Sequence, residues 1–194
     1  MKIKIFCFMM VLAMLMSTLL IGCEEEAVAP ETTEAAAADI VTTEEAVVET
    51  SILLFDTNEI YYSIVRGTYA TDVEVNATVA LNVAFREAYP GDWRASIGDD
   101  FFKGQVKGET YEIEGKEILV GLTNRKESHA VHETLKKDEF AIKVVGEKLV
   151  IVGFDEYATA SAVEEFISLY LSSPITDKLE LDKTLEVLGE ASLR

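Results

Sequence analysis

The chain of 194 residues has two cysteines, three prolines, one tryptophan and two histidines, and only 17 basic side chains against 35 acidic ones. Each shortage excludes something. Phosphate recognition needs clustered Lys and Arg, so a formal charge of −18 excludes a general nucleic-acid binder. Both cysteines, Cys7 and Cys23, fall within the first 23 residues. Residues 24–194 therefore offer no disulfide, no Cys-ligated metal and no Cys nucleophile. Gly104, Gly108 and Gly115 do not have the spacing of a phosphate or dinucleotide loop. The length falls short of a complete (β/α)₈ barrel once non-domain segments are removed. What is abundant is apolar residues, 49% of the chain. So acidic a chain is rarely so apolar unless the two properties occupy different segments.

They do. Lys2 and Lys4 form a short positive region, and residues 5–21 are apolar except for Ser17 and Thr18. This is the form of a secretory signal. It ends in Leu20-Ile21-Gly22-Cys23, which resembles a bacterial lipobox. The resemblance implies that the Cys23 thiol takes a diacylglyceryl group and that cleavage makes Cys23 the new N-terminus. An uncleaved membrane helix is the alternative, since the run is about long enough to span a bilayer. Acyl chains, palmitate among them, anchor stably because each buried methylene adds roughly 0.8 kcal/mol. The expectation is an exported protein held by lipid on the extracytoplasmic face of the cell membrane.

Residues 24–50 carry nine acids, no base and no aromatic residue, with much Ala and Thr. Such a segment buries too little apolar surface to offset its chain entropy, and its like charges extend it. It reads as a disordered tether, with a binding tail for a basic partner as the alternative. Residues 51–194 hold 26 acids and 15 bases.

That last segment reads as one α/β (α+β) domain: a mixed sheet covered by helices, because strands arrive singly and as a hairpin with helices between. Strands are predicted at 51–56, 59–65, 117–122, 139–145, 148–152, 179–181 and 184–188. Helices are predicted at 72–88, 127–136 and 157–171. In the last, Ala158, Ala162, Phe166 and Leu169 or Tyr170 form the buried stripe. Gly146-Glu147 suits a two-residue hairpin turn with Gly first. Leu119, Val120, Phe140, Ile142, Val150, Ile151, Ala162, Val163 and Phe166 are the expected core.

Residues 117–128 (EILVGLTNRKES), 138–142 (DEFAI), 146–153 (GEKLVIVG) and 158–166 recur in a characteristic order. Together they resemble the N-terminal accessory domain of some glycoside hydrolases, including β-N-acetylhexosaminidases, α-glucuronidases and related bacterial surface proteins. The similarity covers roughly residues 51–190. It implies a sheet like that of zincins without their metal site. It also implies a non-catalytic module that precedes a (β/α)₈ barrel. The chain stops at Arg194, so no catalytic residue of that barrel carries over. No enzyme activity and no cofactor are expected.

Three residues are candidate ligand contacts. Asn124 and Arg125 follow a buried strand, where α/β proteins place binding loops. Asn124 both donates and accepts, and Arg125 offers a planar fork for a carboxylate or sugar hydroxyls. Equally, Asn124 suits a turn and Arg125 suits a clamp on an Asp or Glu. Trp93 suits stacking on a sugar face, or plugging a loop onto the core. His129 and His132 are spaced i, i+3, which is not the His-Glu-x-x-His pattern of zincins, so no metal site is assigned. Three readings follow. The first is a lipid-anchored domain that binds carbohydrate or a glycan-processing partner. The second is a scaffold domain without a small ligand. The third is the accessory stub of a glycosidase whose barrel is absent.

Overall fold

The computed structural model describes residues 49–89, 91 and 94–191, all within one unit spanning 46–194. The signal reading at 1–23 with Cys23, nearly all of the tether, and Trp93 lie outside the described residues. Among the described residues no helix is long and apolar enough to cross a membrane.

Among the described residues eight strands and three α-helices follow one another as β1 (Ser51–Phe55), β2 (Ser63–Arg66), α1 (Asp72–Ala88), β3 (Ile97–Asp99), β4 (Glu117–Val120), α2 (Lys126–His132), β5 (Glu139–Val145), β6 (Lys148–Gly153), α3 (Glu156–Phe166), β7 (Leu179–Asp182) and β8 (Glu186–Glu190). The main sheet has the order β3-β2-β4-β6-β5-β8, and β1 pairs with β7 in a separate ribbon. β3, β2, β4 and β6 run parallel, while β5 is antiparallel to both β6 and β8. The expected mixed sheet covered by helices is what forms.

Strand alternation divides the core in two. Ile64, Ile118, Leu149, Ile151 and Phe140 pack under α1 and α3, against Leu81, Phe85, Ala162 and Phe166. Val65, Leu119, Val150 and Val152 face the other way, against Val131 and Leu135 of the α2 segment. The sheet is thus covered on both faces, which explains why β4 and β6 are apolar throughout their centres.

Local chemistry sets the helix limits. Thr71 caps α1 in a capping box: its hydroxyl accepts from the Glu74 N–H, and the Glu74 carboxylate accepts from the Thr71 N–H. Asp155 caps α3 by accepting from the backbone N–H groups of Tyr157 and Ala158. Gly146 opens the β5–β6 hairpin at φ 61. Gly153 ends β6 where the chain turns back at once, and a Cβ there would sit 2.2 Å from the Thr159 backbone nitrogen.

Four expectations need correction. The helix predicted at 127–136 ends at His132, where the Thr134 N–H and hydroxyl both donate to the Val131 carbonyl oxygen and close a turn. The strand predicted at 59–65 is split. Asp56 accepts from the N–H groups of Asn58 and Glu59, and this turn pairs Ile60 back onto Phe55. Only Ser63–Arg66 joins the main sheet. The helix predicted to Leu171 stays α-helical to Phe166 and continues as a π-type turn, Ile167–Leu171. That wider turn advances less per residue, so Leu169 is exposed, Leu171 is buried, and Tyr170 packs on Phe166 at 5.0 Å. Finally, β3 arises in a segment read as loop.

Candidate functional site

Four parallel strands end on one edge of the sheet, and the loops after β2, β3 and β4 form a crevice there. Such strand ends are where open α/β sheets place ligands. The crevice encloses about 330 Å³. Its walls are Thr68 and Tyr69 after β2, Gln105 and Lys107 in the loop after β3, Asn124 after β4, and His129 on α2.

Asp100 holds these loops together. It is buried, and its Oδ1 accepts from the Thr68 N–H at 2.8 Å and the Thr68 hydroxyl at 2.6 Å. Its Oδ2 accepts from the Asn124 N–H, and its backbone oxygen accepts from Asn124 Nδ2 at 2.8 Å. The loops after β2, β3 and β4 are therefore fixed to one carboxylate. Gly67 permits this, because a Cβ there would meet the Leu122 carbonyl oxygen at 2.8 Å. The outer loop is folded on itself: Tyr111 donates to Glu109, accepts from the Val106 N–H, and meets Phe102 edge-on at 4.8 Å.

Above this polar floor stand apolar side chains in water. Tyr69 is 68% exposed and Phe101 63% exposed. The Lys107 ammonium lies 4.5 Å from the Tyr69 ring centroid. It makes no ion pair among the described residues. An exposed aromatic ring beside fixed donors and acceptors can stack on an apolar ring face while hydrogen-bonding its periphery.

The predicted site residues separate. Asn124 lines the crevice, with its amide donating to Asp100 and to Gln105 at 2.9 Å. Arg125 turns inward. It is 6% exposed, and its fork meets Glu117 through Nε at 2.9 Å and Nη2 at 2.8 Å. Its other terminal nitrogen donates to the Asn124 side-chain oxygen. Lys148 adds a second cation, 3.4 Å from Glu117 and 3.1 Å from Glu127. Of the two roles open to Arg125, the clamp on an acid is the one this geometry contains. His132 stacks against Phe154 at 6.1 Å. Among the described residues, no group of three or more His, Cys, Asp or Glu side chains is placed to hold a metal ion.

Sequence reasoning did not single out Tyr69, Asp100 or Lys107. The strand-end rule that found Asn124 applies equally to the loops after β2 and β3, but β3 had not been recognised.

No family model matches the chain, and no curated protein matches it. Among solved structures, the one titled "Structure of CpGH84D" is similar with a TM-score of 0.41 and 9% identity, over 69% of this chain and 21% of that chain. The chain spans about a fifth of that structure's length. The functional reading therefore depends on the site itself.

Proposed function

We propose that this is a lipid-anchored extracytoplasmic protein whose folded unit binds carbohydrate in the strand-end crevice without cleaving it. The observation that carries the binding reading is Tyr69, a ring 68% exposed that lines the strand-end crevice. Water-exposed aromatic surface beside ordered donors is what sugar recognition requires, since a pyranose has apolar faces and a hydroxylated rim. The non-catalytic reading is supported by how the crevice carboxylates are engaged. Asp100 accepts from Thr68 and Asn124, Glu74 closes the α1 cap, and Glu109 accepts from Tyr111. None is held as a free acid–base pair across an open gap.

The anchoring reading is supported by the sequence Leu20-Ile21-Gly22-Cys23 behind its apolar run. Metabolic labelling with palmitate tests it: the wild-type chain takes label and Cys23→Ser does not. A glycan array probed with the full chain tests the binding. Binding to at least one glycan class is expected, and an array with no positive glycan would remove the reading.

A further inference from the structure

Among the described residues ten large hydrophobic side chains are exposed. Six of them, Tyr69, Phe101, Val106, Leu122, Phe154 and Tyr157, lie on the segments that follow β2, β3, β4 and β6. Those four strands are mutually parallel neighbours in the order β3-β2-β4-β6. Their ends therefore form one row. Three inter-strand spacings of ~4.8 Å give the row a length of ~14 Å, more than one sugar ring covers. The crevice occupies only its β3–β2–β4 part; Phe154 and Tyr157 extend it past β6.

Charge narrows the occupant. At these strand ends stand the carboxylates of Asp72 and Glu74 in the first turn of α1, Glu109 on the outer loop, and Asp155 and Glu156 at the start of α3. The bases on the same segments are Arg66, Lys103, Lys107, Lys116, Arg125 and Lys126, of which Arg125 is paired with Glu117 and Lys126 with Glu112. An acidic rim repels a polyanion. A row of exposed rings and aliphatic side chains without surplus positive charge suits a chain of uncharged rings.

Resting on the carbohydrate reading above, we propose that the ligand is a linear, uncharged oligosaccharide lying along the strand ends. One unit sits at Tyr69 and later units reach Tyr157. The crevice is one subsite of several.

Isothermal titration of the full chain with cello-, xylo-, manno- and chito-oligosaccharides of two and six units, and with hexagalacturonate, tests this. For the series that binds, the hexasaccharide is expected to bind at least ~ten-fold more tightly than the disaccharide. Tyr157→Ala is expected to weaken the hexasaccharide about five-fold and to leave the disaccharide unchanged. Leu188→Ala, an exposed side chain on β8 away from the row, is expected to change neither. Equal affinity for both lengths, or preference for hexagalacturonate, overturns this inference and leaves the carbohydrate reading standing. Absence of binding by every sugar overturns both.

Discussion

Arg125 reaches back from the start of α2 to fork Glu117 at the beginning of β4, with Nε and Nη2 at 2.9 and 2.8 Å from its two oxygens. Both residues are buried. A paired fork of this kind is costly to break from one side, because the remaining charge is left without a partner. Arg125→Ala is expected to destabilise the fold by about 3 kcal/mol, with Lys148 compensating only in part. Urea unfolding monitored by circular dichroism measures this. A loss near zero would mean that Glu117 finds water or another cation at no cost.

Tyr62 ties the segment before β2 to the β5–β6 hairpin: its hydroxyl donates to the Glu147 carbonyl oxygen at 2.9 Å. Burial, reinforced by the nearby Glu147 and Glu49 charges, pushes its phenol up to about 12. A folded-state value above the ordinary 10 adds stability that is complete below pH 10. That stability is lost as pH rises from 10 towards 12. Alkaline titration should therefore show unfolding in that window, and Tyr62→Phe should flatten it. An identical alkaline limb in the variant would contradict the assignment.

At the acid end the direction reverses. Asp56 is held below the usual carboxylate range by the Asn58 N–H, and Glu180 by its contact with Lys178. Depressed carboxylates add stability above their unfolded values and lose it as pH falls through the folded ones. Stability should decline below about pH 4. Glu180 is exposed and Asp56 only half-buried, so Asp56→Asn is expected to move the acid midpoint only slightly, and a large shift would point to a different acid trigger.

Gly153 and Gly98 should respond oppositely to the same change. A Cβ on Gly153 would collide with the Thr159 nitrogen and the Ala158 carbonyl carbon, at 2.2 and 2.3 Å, and both are backbone atoms that cannot rotate away. Gly153→Ala should cost ~2 kcal/mol or more. Nothing lies within 4 Å of a Cβ on Gly98, so Gly98→Ala should be neutral or slightly stabilising. Thermal melts of the two variants compare them directly, and equal melting temperatures would contradict the close β6–α3 turn.

Much of the fold was legible where one residue type has one physical use. Thr71 and Asp72 as N-cap types, and the Pro90-Gly91 pair after Ala88, bounded α1 to the residue. Alternation of Phe140, Ile142 and Val144, followed by Gly146, marked the β5–β6 hairpin. β3 was not legible, because Ile97-Gly98-Asp99 is three exposed residues whose pairing is supplied by β2. The π-type turn at Ile167–Leu171 was hidden because its sequence suits an ordinary helix equally well. At the site, Asn124 could be placed from its strand. Tyr69 and Lys107 could not, since they are 38 positions apart in the chain and only the order β3-β2-β4 makes them neighbours.

The central claim is that Tyr69 is a sugar-stacking ring. Isothermal titration of the full chain and of Tyr69→Ala with the best glycan from an array tests it most directly. The account predicts a loss of binding of at least about ten-fold, with the thermal melt unchanged because the ring is exposed. Equal affinity in the two proteins would contradict it.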